Sequence, residues 1–237
     1  MLYLPDIRFG NIDFSGDGAY IWGAGQYSAP TRSVDFIKVP GRNGDLVIDN
    51  GNYNNIKARF SVVITRDVEK NTDRLKYLLY SQRGYQRLYD SDMKGFYRMA
   101  CFSDGFDISS TKAGVVDIEF DCKPFKYDIF GEQDIELTET DKFHEIENPY
   151  FENSMPIITV YGNGKNNLIV NNSVILVDLS FWDKIIIDTE MKYAYDDGLN
   201  LSKYVSTADF YFHPGKNSIF FQQGITKVEV KPRWVTI

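Results

Sequence analysis

Two histidines, two cysteines and two acidic pairs are the residues of this chain whose types could do chemistry. His144 sits in an acidic stretch and His213 beside Pro214. A zinc protease needs two histidines at i, i+4 with a glutamate between them, and that pattern is absent. Each lone histidine therefore reads as a surface or turn residue. Asp90/Asp92 and Asp196/Asp197 could act as a glycosidase acid and base only on facing elements across a cleft. Both pairs lie among turn formers, where solvated carboxylates are the simpler reading. The run Asp196-Asp197-Gly198-Leu199-Asn200 is too short in oxygen ligands for a calcium loop. No serine occupies a Gly-x-Ser-x-Gly elbow. Gly23-Ala24-Gly25 and Gly162-Asn163-Gly164 lack the strand-to-helix setting of a nucleotide site. Cys101 and Cys122 match no metal spacing. They form a disulfide only if their strands pair in register, and two free, half-buried thiols is the preferred reading. No catalytic, cofactor-binding or metal-binding residue is assigned, and no enzyme is expected.

The composition asks for sheets that position something else. Aromatic residues reach 15%, with 16 Tyr and 17 Phe, which suits β-sheets and interaction surfaces better than helical bundles. Tyr161, Phe181, Trp182, Tyr193, Tyr195, Phe210, Tyr211, Phe212, Phe220, Phe221 and Trp234 crowd the C-terminal third. A carbohydrate platform would use two or three exposed rings; filling a sandwich core accounts for most of them. No window approaches 18 apolar residues, so no membrane span is expected, and no secretory signal is visible at the start.

The net charge of −7 sits in one place. Residues 1–130 carry 17 basic and 17 acidic side chains, and residues 153–237 carry 8 of each. Residues 131–152 hold eight acids against the single base Lys142. A basic nucleic-acid footprint is absent. The acidic run reads as a solvated connector between two domains, or as a surface that docks a basic partner or repels DNA.

The stretch Lys38–Thr65 organises the first half. Pro40-Gly41-Arg42-Asn43-Gly44-Asp45 is dense in turn formers, and its glycines take φ > 0 without steric cost. Leu46-Val47-Ile48 is a short apolar run. Asp49-Asn50-Gly51-Asn52 predicts a second turn, with Asn50-Gly51 the strongest short hairpin signal. Phe60–Thr65 predicts a strand. Before it, Val34–Val39 has strand composition and Asp17-Gly18 signals a hairpin.

One helix is expected over about 71–83. Asn71 or Thr72 caps it, Asp73 lies in its first turn, Leu75, Leu78 and Leu79 form its apolar face, and Gly84 stops it. Tyr85–Tyr89 and Phe96–Phe102 read as strand, turn, strand. Val115–Cys122 alternates cleanly, with Val116, Ile118, Phe120 and Cys122 on one face, until Pro124 ends it. Short strands then recur at Ile157–Tyr161, Leu168–Val170, Val174–Leu179, Ile185–Asp188, Lys192–Tyr195, Phe210–Phe212, Ser218–Gln222 and Val228–Val235. That spacing predicts a β-sandwich or jelly roll. The expectation is a mainly β chain of two sandwich domains, residues 1–130 and 153–237, joined by the connector 131–152.

The order of these pieces resembles a known family. Gly41-Arg42-Asn43-Gly44-Asp45-Leu46, Tyr53-Asn54-Asn55, the single helix, Arg87-Leu88-Tyr89, Phe96-Tyr97-Arg98-Met99-Ala100 and Asp117–Phe125 are similar to the distal tail proteins of long-tailed bacteriophages. Asn148-Pro149, Pro156–Gly162 and Pro214–Ile219 carry the resemblance into the second half. It implies a homo-hexameric ring at the tail tip, built by the first domain with an extended hairpin, and a galectin-like second domain. Such a ring joins the tail-tube protein to the tail-associated lysin or fibre hub and anchors receptor-binding proteins. It belongs to the virion, at the distal end of the tail, after assembly in the host cytoplasm. No membrane is involved, and DNA only passes through the lumen. The inter-subunit contacts then fall on Gly41, Arg42, Asn43, Gly44, Asp45, Asn50 and Gly51. A reading from another class is a carbohydrate-binding adhesin acting through the second sandwich.

Overall fold

Rings from distant strands meet in the first half, and they define its architecture. The computed structural model describes residues 5–14, 19–105 and 114–237. The Asp17-Gly18 hairpin signal lies outside the described residues. The chain divides into two units, one ending at Lys126 and the other running from Tyr127 to Thr236, with Ile237 assigned to the first.

The first unit contains β1 (Ile7–Phe9), β2 (Ile12–Asp13), β3 (Ala19–Tyr27), β4 (Arg32–Ile37), β5 (Leu46–Tyr53), β6 (Ile56–Ile64), helix α1 (Val68–Ser81), β7 (Gln86–Asp90), β8 (Phe96–Cys101) and most of β9 (Gly114–Asp128). One sheet runs in the order β2-β1-β7-β8-β9-β6-β3, while among the described residues β4 and β5 pair only with each other. Three strand spacings separate β1 from β9, which in a flat sheet is about 14 Å. Yet the Phe9 and Phe120 ring centroids are 4.6 Å apart. Likewise Tyr27 at the end of β3 donates its O–H to Asp90 at the end of β7 at 2.5 Å, across four spacings. The sheet therefore curls on itself and encloses its own core, as a sandwich does. Phe60 and Phe102 close the aromatic cluster around Phe120.

Strand alternation builds that core. Ile56, Ala58, Phe60, Val62 and Ile64 of β6 point inward, opposite Cys122, Phe120, Ile118 and Val116 of β9. Helix α1 covers the core with Leu75 and Leu79, each worth about 1.5–3 kcal/mol of apolar burial. The helix begins three residues before the expected cap. Asp67 takes the N-cap position in a left-handed conformation without a side-chain cap bond, and Glu69, not Asp73, is the first-turn acid. Asn71 and Thr72 fall inside the helix, where their side chains donate back to the carbonyls of Arg66 and Val68 at 2.6 Å. Pro124 does not end β9, which continues to Asp128. Proline lacks a donor but holds an extended φ, and the Pro124 carbonyl accepts from Arg98 at 3.1 Å.

The second unit contains β10 (Ile135–Leu137), β11 (His144–Asn148), β12 (Ile157–Gly162), β13 (Gly164–Val170), β14 (Ser173–Leu179), β15 (Lys184–Asp188), β16 (Tyr193–Asp196), β17 (Leu199–Asn200), β18 (Gly215–Phe221), β19 (Ile225–Lys231) and β20 (Val235–Thr236). A six-stranded sheet β10-β19-β12-β15-β16-β17 and a four-stranded sheet β11-β18-β13-β14 share one apolar core. This unit is a two-layer β-sandwich. The expected connector 131–152 is not a connector. It supplies β10 to the first sheet and β11 to the second, with Leu137 and Ile146 in the core. Its acids hid the pattern, because they occupy the outward positions of two short strands. Two further expectations fail nearby. Phe210–Phe212 makes only a single bridge, Phe212 to Ser154. The run Val228–Val235 breaks at Pro232-Arg233, with Arg233 at φ 51. That bend lets Arg233 clamp Asp188 through both terminal nitrogens, at 2.8 and 3.2 Å.

Candidate functional site

The β4–β5 ribbon is the part of the first unit that its own core does not explain. Its register pairs Ile37 with Leu46, Phe36 with Val47, Asp35 with Ile48 and Val34 with Asp49. Directly opposed residues share a face and neighbours alternate. Phe36 and Val47 therefore lie on one face, and Ile37, Leu46 and Ile48 on the other. All are exposed, Phe36 at 64% and Val47 at 54%, and Val39 follows in the turn at 39%. A two-stranded ribbon is at best marginally stable in water, and this one buries neither face.

Its base is tied by polar contacts. Arg32 pairs with Asp49 at 3.2 Å. The Asn50 amide donates to Ser33 Oγ at 3.3 Å and to Asp35 Oδ2 at 3.1 Å. Asn54 N–H donates to Thr31 O at 2.9 Å, and the Tyr53 ring meets Phe125 edge-on at 5.7 Å.

The seven residues proposed as inter-subunit contacts all fall on this ribbon, but at two different places. Gly41, Arg42, Asn43, Gly44 and Asp45 occupy the connection between the strands, all exposed, with both glycines at φ 80. Asn50 and Gly51 are not a hairpin turn. They lie within β5, where the register shifts between Arg32 and Val34. Gly51, at φ 72, and the Asp49 carboxylate accepting its N–H at 2.9 Å form a β-bulge. The left-handed glycine that favours a turn serves a bulge equally well, so dipeptide identity did not distinguish them. The apolar tip itself escaped the sequence reading. The available signal was Leu46-Val47-Ile48, which does not alternate as a strand with one buried face would.

Several of the residues considered for chemistry make packing or hydrogen-bond contacts. Asp90 is not solvated: it is 4% exposed, and it accepts from Tyr27 and from the Asp92 N–H at 2.9 Å. Burial, then the Asp90 hydrogen bond, holds the Tyr27 phenol well above its usual value, so it stays a donor. Arg98 lies 5.4 Å over the Tyr27 ring. Cys101 and Cys122 are free, and burial pushes the Cys122 thiol up to about 12. His144 stacks on Phe221 at 5.4 Å, and Tyr211 meets His213 edge-on. Among the described residues no group of three or more His, Cys, Asp and Glu side chains could hold a metal ion. On the outward face of β6 and β9, Lys57 pairs with Asp121 at 3.0 Å and with Glu119 at 3.1 Å, and Arg59 also binds Glu119. The Arg59 bond, reinforced by Lys57, holds the Glu119 carboxyl below its usual range. Of the crowded C-terminal aromatics, Phe210, Phe212, Phe221 and Trp234 are buried, whereas Phe181 is 78% exposed.

No protein-family model matches the chain, and no curated protein matches it in sequence. The fold does match. The crystal structure of the SPP1 Dit (gp 19.1) protein, described as a paradigm of the hub adsorption apparatus in phages infecting Gram-positive hosts, superposes with a TM-score of 0.75. The match covers 99% of this chain and 100% of that one, at 12% sequence identity. This chain has the fold of the SPP1 Dit protein from end to end.

Proposed function

We propose that this protein is a distal tail protein, the structural hub at the tip of a phage tail. The observation that carries the reading is the end-to-end fold match to a phage adsorption hub, with both units included and no catalytic constellation needed. The hub is a homo-hexameric ring, located at the distal end of the virion tail. It joins the tail-tube protein to the tail-associated lysin or fibre hub and anchors receptor-binding proteins, acting without catalysis. DNA crosses its lumen only in transit.

A ring needs two different complementary surfaces per subunit. The β4–β5 ribbon is one: its exposed apolar residues gain a partner only when a neighbour covers them. The sheet edge at β3 is of the complementary kind. It ends the strand order, and Trp22 on it is 53% exposed. A register shift at Gly23, at φ 76, keeps that edge irregular, which discourages indiscriminate pairing. Negative-stain electron microscopy of the purified full chain tests the reading. Six-fold rings are expected; particles of single-chain size at every concentration overturn it.

A further inference from the structure

The outward face of the four-stranded sheet in the second unit carries an apolar row that the sandwich does not use. Register fixes it. Ile169 of β13 lies opposite Phe220 of β18 on one side and Val174 of β14 on the other. Phe143, the residue before β11, continues the row, its ring 4.9 Å from that of Phe220. Leu176 extends it along β14. Phe143 is 67% exposed, Val174 59% and Leu176 44%. Every other outward position on these strands is polar: Glu145 and Glu147 on β11, Lys216 and Ser218 on β18, Lys165 and Asn167 on β13, Asp178 on β14. The inward positions beneath are already filled by Ile146, Ile219, Phe221, Leu168, Val170, Ile175 and Val177. The row is therefore surplus to the fold; it crosses β14, β13 and β18 and reaches the start of β11.

The charge around the row selects the occupant. Its two outward lysines are engaged, Lys216 with Glu145 at 2.8 Å and Lys165 with Asp178 at 3.6 Å. Lys142 is held by Glu139. Asp141, exposed two residues before Phe143, has no ion-pair partner among the described residues, and the two outward acids of β11, Glu145 and Glu147, share the one lysine opposite them, Lys216. A second copy placed face to face would oppose like charges, because acids outnumber bases around the row. A nucleic acid or an anionic membrane would be repelled. We propose that this face docks another protein through a segment whose apolar residues are flanked by lysine or arginine. The acidic run 131–152 then has a role beyond solvation: it sets the sign of the partner. The inference does not depend on ring formation.

The test uses the full chain and two synthetic labelled peptides that share one Phe/Leu/Val centre, flanked by lysines in one and by glutamates in the other. Fluorescence anisotropy should show the lysine-flanked peptide binding at least tenfold tighter. A Phe143→Ser/Val174→Ser variant should lose at least tenfold in that affinity, and Asp141→Lys/Glu147→Lys should reverse the preference. All four positions are exposed, and circular dichroism with thermal melting checks that each variant folds. Equal binding of the two peptides, no binding of either, or binding unchanged in the double-serine variant overturns the proposal. So does association beyond the ring that the double-serine variant abolishes, because a second copy would then be the occupant. Light scattering on every sample reads the ring separately, so the two proposals fail by different results.

Discussion

The β4–β5 ribbon and the β13–β14 hairpin are the same device in two settings. Both are antiparallel pairs, and each has a left-handed residue beside its turn or bulge. In β13–β14 one face is buried in full, although Ile169, Val174 and Leu176 on the other face are apolar. Leu168, Val170, Ile175, Val177 and Leu179 are buried, and Lys165, Asn167 and Asp178 face out. In β4–β5 apolar residues occupy both faces of the tip, and none of them is buried. The hairpin is stabilised by the core beneath it. The ribbon rests on its backbone ladder and polar base, and its apolar surface has no cover among the described residues.

That contrast can be broken by matched substitutions. Ile175→Ala removes a fully buried side chain from the hairpin and should destabilise the second unit by about 2–5 kcal/mol, seen as a lower denaturation midpoint. A smaller loss would mean that this core collapses to fill the gap. Gly51→Ala forces a Cβ into a left-handed conformation and should cost about 1–2 kcal/mol locally. Faster amide exchange in the ribbon, with no change in β6, would report it. Val47→Ala should leave monomer stability within about 0.5 kcal/mol, since the side chain is 54% exposed there. The same change should weaken the ring measurably; a large loss of monomer stability would show that the ribbon packs on its own subunit.

A smaller effect is expected with pH. Arg59, then Lys57, lowers the Glu119 pKa on folding, so the stabilisation is complete above the usual glutamate range and fades as pH falls through the lowered value. The pair is partly exposed, so under about 1 kcal/mol is at stake. Melting below about pH 4.5 should be less acid-sensitive in Glu119→Gln. An unchanged acid slope would remove Glu119 from the account.

Much of the fold was readable where one periodicity governs a segment. Val116, Ile118, Phe120 and Cys122 are buried as their alternation requires, and Asp196-Asp197-Gly198 turns between β16 and β17 as its residue types require. Reading failed where two meanings share one signal. Asn50-Gly51 serves a bulge as readily as a turn, and Asp67 caps a helix without a capping bond. The acids of 131–152 masked β10 and β11, because three- and five-residue strands show too few inward positions to reveal a period. The candidate site was half legible. Its turn and bulge residues stand out by type, but the tip does not. Apolar residues are ordinarily assigned to a core, and only the tertiary structure leaves these without one.

The central claim is that the ribbon is completed by a neighbouring subunit. Size-exclusion chromatography with light scattering, run on the wild-type chain and on a Phe36→Asp/Val47→Asp variant, tests it most directly. A hexamer for the wild type and a folded monomer for the variant are predicted. A wild type that stays monomeric at all concentrations, or a variant that still assembles, would contradict the account.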